Sequence, residues 1–223
     1  MGKRCKNIKG LLIKDLKLLL GQKRFYTIEL GLGVLFMITY DNPSMGVGYI
    51  TMLLTIFTLN TISYDEFDNG MSFLMTLPIY RKTYVQEKYV FAGLMAVGSA
   101  IASTVLSILL GTIMNKTFDV MDVVVTGASM IVVVLFILSV TLPLLIKFGA
   151  EKGRMAMFAA FGLIGLAVFV LAKVFGDTDF VWIDAFLATV DAKILVLMGV
   201  LVLIMVIFAS YFICVRIISK KEY

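Results

Sequence analysis

The 223-residue chain has no histidine, only two cysteines, three prolines and one tryptophan, and charged residues make up just 16% of it. Without histidine, imidazole general bases, Ser-His and Cys-His nucleophile pairs and most zinc or haem sites are excluded. Cys5 and Cys214 both fall at the face that charge sorting marks as cytoplasmic, where two thiols in a reducing compartment are expected to be free and inert. No G-x-x-x-x-G-K-[ST] sequence occurs. The nearest stretches, Gly111 to Thr117 and Gly149 to Met155, lack the spacing or the Lys-Ser/Thr ending. Whatever energy the protein uses, it does not bind ATP through a P-loop of its own.

What is abundant is apolar surface: 61% of the residues are hydrophobic. Windows rich in Leu, Ile, Val, Phe and Met run from Phe25 to Tyr40, Val47 to Tyr64, Tyr89 to Met114, Met121 to Ile146, Met155 to Val174 and Ile194 to Val215. Most are long enough to cross a hydrocarbon core of about 30 Å, which takes roughly 20 helical residues. Lipid offers backbone N–H and C=O groups no partner, and the runs lack the alternation of barrel strands, so the expected spans are α-helices. The chain is therefore read as an all-α integral membrane protein, a single domain over residues 1–223 with six transmembrane helices.

Of the 20 Lys and Arg residues, all but Lys116, Lys173 and Lys193 fall before the first span, in the second and fourth connections or in the tail. By the positive-inside rule both termini are cytoplasmic. The net charge of +5 is thus a topological and headgroup signal, and no nucleic-acid partner is expected. Residues 1–22 read as an amphipathic helix on the inner leaflet, not as a signal peptide, because Lys14, Asp15 and Lys17 interrupt its apolar run. Ile8, Leu11, Leu12, Leu16, Leu19 and Leu20 share one face, with Lys6, Lys14 and Lys17 roughly opposite. Asp15 falls near the apolar side, where it would pair with a basic group of a neighbouring segment.

The connection after the second span is the most informative stretch. Asp65, Glu66 and Asp68 suit the start of a short helix over 65–77, where the macrodipole favours negative charge. Phe67, Met71, Leu74 and Met75 give that helix an apolar ridge, Pro78 limits it, and Arg81 and Lys82 would anchor at the headgroups before the third span. An apolar ridge held outside the bilayer between two membrane helices is suited to transmitting force to a cytoplasmic partner. Between the fifth and sixth spans, Asp177, Thr178 and Asp179 offer an N-cap to a short segment over 177–191. There Phe180, Ile183 and Phe186 form an apolar stripe beside Trp182, an interfacial anchor.

The run Tyr64-Asp65-Glu66, followed by Leu77-Pro78-Ile79-x-Arg81-Lys82-x-x-Val85-x-x-Lys88-Tyr89, resembles the small ABC-2 type permeases of bacterial ABC exporters. It is particularly similar to the compact permeases of phenol-soluble-modulin and bacteriocin export systems. The layout agrees over nearly the whole chain, with one departure at Met71, where many relatives carry an aromatic residue. The resemblance implies a non-catalytic membrane subunit in a bacterial cell membrane that exports amphipathic or antimicrobial-type peptides. It implies docking of a separate ATP-binding cassette ATPase on the 65–77 helix, with ATP and Mg held by that partner and no cofactor in this chain. It also implies pairing with a second permease copy, a homodimer in preference to a heterodimer. The 177–191 segment resembles the external helices that close the outer end of the pathway, with Phe180, Trp182, Ile183 and Phe186 as the gate.

Three further features are read from residues alone. Thr51, Thr55 and Thr58 in the second span could line a translocation path or pack helices. Ala92, Ala96 and Ala100 permit close helix approach in the third span. Glu29 stands in the first span close to Arg24, a position that suggests snorkelling to a basic partner. A membrane-embedded metal-dependent transferase would need clustered acids such as Asp65, Glu66 and Asp68, and a proton-coupled carrier would use Glu29. These are the alternative functional classes.

Overall fold

Every described residue of the computed structural model lies in a helix or a short connection, with no strand among them. The described residues are 8–40, 42–67, 70–76, 79–175 and 192–221. The helices are α1 (Ile8–Gly21), α2 (Lys23–Thr39), α3 (Ser44–Ile56), α4 (Asn60–Glu66), α5 (Gly70–Thr76), α6 (Arg81–Ile113), α7 (Val120–Phe148), α8 (Ala150–Phe175) and α9 (Ala192–Lys220). A 3-10 turn, Phe57–Leu59, joins α3 to α4, so that Ser44–Glu66 forms one length of helix.

Four lengths among the described residues are long and apolar enough to cross a membrane: Ser44–Glu66, Arg81–Ile113, Val120–Phe148 and Val196–Lys220. Of the six expected spans, the other two correspond to α2, which is only 17 residues long, and α8, whose apolar run from Met155 includes side chains outside the described residues. At 33 residues, α6 is about 50 Å long and outreaches a hydrocarbon core by several turns. Its first turns therefore stand beyond the apolar layer, with the charged ends of the neighbouring helices. The helix expected over 177–191 lies outside the described residues.

The ends of α7 show why the chain turns where it does. Asp119 caps its start by accepting from the Met121 N–H at 2.8 Å, with Asp122 in the first turn and Lys147 in the last, each matched to the helix dipole. Gly149 ends it at φ 81°, a conformation that glycine adopts without strain. Within α7, Pro143 cannot donate to the carbonyl of Ser139 four residues earlier. That carbonyl accepts instead from Ser210 Oγ of α9 at 2.5 Å, and Ser210 Oγ also lies 2.5 Å from Tyr89 OH of α6. The helix defect is thus converted into a tie between α7, α9 and α6. Close to it sits Cys214, free and buried.

At the opposite end, Lys116 donates to the carbonyls of Met37, Ile38 and Tyr40 and so closes the C-terminus of α2. Gly33 of α2 lets α3 approach so closely that a Cβ there would collide with Ile50. Along the α3–α6 contact, Thr51 Oγ1 meets Ser103 Oγ at 2.9 Å, Thr55 Oγ1 meets Ser99 Oγ at 3.2 Å, and Ser107 Oγ donates to the Pro43 carbonyl at 3.1 Å. Ala92, Ala96 and Ala100 are buried, in keeping with their expected packing role.

Candidate functional site

The candidate site is the end of the bundle where α4, α5 and the starts of α6 and α8 meet. The expected single helix over 65–77 is divided here. Asp65 and Glu66 occupy the last turn of α4, and α5 begins only at Gly70. The two acids therefore sit at the negative end of a helix dipole, the reverse of the N-terminal placement expected, and need cations nearby to be tolerated.

Lysines from α1 and α6 supply them at Asp65, and Lys221, just past α9, lies 3.7 Å from Glu66. Lys14 Nζ makes a very short ion pair with Asp65 Oδ1 and stands 3.0 Å from Asp15 Oδ1, the latter a contact without hydrogen-bond geometry. Lys88 Nζ lies 2.5 Å from Asp15 Oδ2, 2.8 Å from Asp65 Oδ2 and 3.1 Å from Thr61 Oγ1. Tyr84 OH donates to Asp65 Oδ2 at 3.1 Å, and its ring lies 5.2 Å from Lys88 Nζ. Asp15, Asp65, Tyr84 and Lys88 are all buried. Burial alone would raise the Asp15 carboxyl, but the charges of Lys88 and Lys14 hold it below its ordinary value of 3.8. Glu87, also fully buried, has its nearer oxygen 3.8 Å from Lys88 Nζ and no hydrogen-bond partner on either oxygen among the described residues.

The expected pairing of Asp15 with a basic group of another segment is thus found, and Lys88 is that group. The N-terminal helix is consequently more than a leaflet anchor. Leu11, Asp15 and Leu19 face inward, while Leu16 and Leu20 are exposed on the side left for lipid.

Above this knot lies the surface. Met71 and Leu74, expected on a docking ridge, are turned into the core with Leu59, Ile62 and Tyr84. The most exposed aromatics at this end are Phe67 at 72% and Phe73 at 69% of their full accessibility, with Tyr64, Tyr80 and Phe148 exposed to a lesser degree. Phe73 was not among the expected residues. Its signal was its place between Met71 and Leu74, because a helix step of 100° per residue must aim it away from both. Phe67 borders a cavity of about 400 Å³ lined also by Ser63, Glu66, Phe148, Gly149, Glu151 and Lys152. It also borders a second of about 300 Å³ shared with Gln22, Asn60, Tyr64 and Arg154. The α7–α8 corner therefore contributes half of the surface, which the reading of the α4–α5 connection alone did not anticipate.

The remaining expected residues distribute as follows. Met75 lies on α5, and its side chain is outside the described residues, as are Asp68, Pro78, Phe180, Trp182, Ile183 and Phe186. Arg81 Nη1 donates to the carbonyls of Ile218, Ser219 and Lys221, closing the end of α9. Thr51, Thr55 and Thr58 are buried between α3 and its neighbours, with Thr58 Oγ1 donating to the Thr55 carbonyl. Glu29 does not snorkel to a partner. It is 2% exposed on the face of α2 that also buries Gly33 and Met37, and neither oxygen is hydrogen-bonded among the described residues.

Comparison with protein families matches residues 10–219 to the ABC-2 family transporter proteins. The chain belongs to the ABC-2 transporter family. The match takes in α1 through α9 almost entirely, so the knot and the exposed aromatic surface both lie within the family domain. Comparison with curated proteins and with solved structures gives no match. Membership makes this ABC-2 protein a multi-pass membrane permease, a transport subunit that works with an ABC ATPase.

Proposed function

We propose that the chain is the permease subunit of a bacterial ABC exporter, and that the surface around Phe67 and Phe73 receives its ATPase. The observation that carries this reading is the aromatic pair itself. Two phenylalanines stand more than two-thirds exposed where the chain's basic residues collect, and Phe67 lines a cavity walled by the end of α4 and the α7–α8 connection. Large exposed aromatics beside a concavity are typical anchors of a protein partner. The collection of positive residues at this end supports a cytoplasmic location for it and for both termini, and α2 and α8 would complete the proposed six spans.

ATP binding and hydrolysis, with Mg, belong to the partner. Closure of the paired ATPases would push on α5 and the α4 end and swing the long helices between inward-open and outward-open states. Amphipathic peptides are the proposed cargo and export the proposed direction, with a second copy of the permease completing the pathway. Phe180, Trp182, Ile183 and Phe186 remain the proposed external gate. For Thr51, Thr55 and Thr58 the packing role is preferred, since each is buried or hydrogen-bonded within the protomer. Asp65 is engaged with two lysines, which removes it from the acid cluster that a metal-dependent transferase would require.

The test is co-purification of the tagged permease from its native membrane. A stoichiometric ATPase is expected with the unaltered chain, and its loss with Phe67→Asp and Phe73→Asp combined. A double variant that still binds the ATPase would remove this surface from the docking role.

A further inference from the structure

We propose that Lys88 is a positioning residue that locks α1, the end of α4 and the start of α6 into one body, so that a push on α5 reaches the N-terminal helix and the long membrane helix together. This rests on the coupling reading above. An ammonium has three N–H donors, and three oxygens surround that of Lys88 within 3.1 Å: one from Asp15 on α1, and one each from Asp65 and Thr61 on α4. One cation on α6 thus clamps two other elements. Lys14 adds a second bridge from α1 to Asp65.

Burial makes the clamp all-or-none. Lys88 is 3% and Asp15 0% exposed, so water cannot replace a lost partner and the charges are little screened. A sliding motion of α1 against α4 would strand a buried carboxylate partway. The chamber also sets two carboxylates on different helices, Asp15 of α1 and Asp65 of α4, against two lysines. Neutralising Lys88 leaves the acids facing Lys14 alone, and their repulsion drives α1 from α4. This predicts separation of elements, which a general loss of packing would not.

The test uses spin labels on α1 at Lys17→Cys and on α5 at Thr76→Cys, in a Cys5→Ser background. Distances are read in the permease alone and in the ATPase complex, without nucleotide and with ATP and vanadate. With Lys88 present, one narrow distribution is expected in all three states. Lys88→Met is expected to broaden and lengthen it and make it respond to nucleotide, and Lys88→Arg to restore the narrow form. Should Lys88→Met not fold, Asp15→Asn combined with Lys14→Met breaks both α1 contacts and is expected to broaden the distribution in the same way. An unchanged narrow distribution in either variant overturns the proposal. Failure of the unaltered permease to bind any ATPase would refute the coupling reading instead, and the distances in the permease alone would still decide whether Lys88 holds the elements together.

Discussion

Helix α6 makes two kinds of polar contact along one side, and they differ in what they permit. Near its start Lys88 meets Asp15 and Asp65 as buried ions. Farther along, Ser99 and Ser103 meet Thr55 and Thr51 as neutral hydroxyls. A buried ion has few acceptable partners and a steep penalty for losing one. A hydroxyl can turn back on its own helix, as Ser99 and Ser103 already do by donating to the carbonyls of Ala96 and Ala100. The same helix is therefore pinned at one end and free to repack along the α3 seam, the distribution required of a lever driven from that end.

The comparison breaks most visibly at the ions. Asp65→Asn leaves Lys88 and Lys14 sharing Asp15, and should lower stability by about 3–5 kcal/mol, the range for removing one partner of a buried pair; thermal unfolding in detergent measures it. Next comes the tie at Pro143. Ser210→Ala leaves the Ser139 carbonyl without its donor and should cost about 1–3 kcal/mol in the same assay. The smallest effect belongs to the seam: Ser99→Ala and Ser103→Ala should each cost about 0.6 kcal/mol, the average for a hydrogen bond between membrane helices. A serine variant as damaging as Asp65→Asn would erase the distinction between the two regions.

Acid sharpens the same contrast. Asp15 is held below its ordinary value of 3.8, so it releases its proton more readily when folded than when unfolded. Its contribution is then fully present above pH 3.8 and is lost only as pH falls through the lower folded value. Unfolding between pH 7 and pH 4 should show no loss attributable to Asp15, with destabilisation setting in below that window, and Asp15→Asn should abolish the low-pH step.

Much of this arrangement was legible in the residues, and the failures have physical causes. Charge sorting and apolar length mark a membrane helix bundle, because lipid leaves few alternatives, and the Asp15 anomaly on an apolar face points to a basic partner on a neighbouring segment. Which cation it was depended on α1 lying across the start of α6, a tertiary fact. The orientation of α5 did not follow from the residues because Met71, Phe73 and Leu74 are all apolar, and hydrophobicity alone does not say which face a short helix turns inward. Placing Asp65 and Glu66 at a helix start followed the usual dipole preference. The protein instead sets them at a helix end and compensates Asp65 with Lys14 and Lys88 and Glu66 with Lys221.

Docking of the ATPase on Phe67 and Phe73, as proposed, would show in the amount of ATPase recovered with tagged permease carrying Phe67→Asp and Phe73→Asp. Both side chains are exposed, so the double variant should insert and unfold within about 0.5 kcal/mol of the unaltered chain. The expected result is loss of the ATPase and of its ATP hydrolysis together. A folded double variant that recovers the ATPase in full would contradict it.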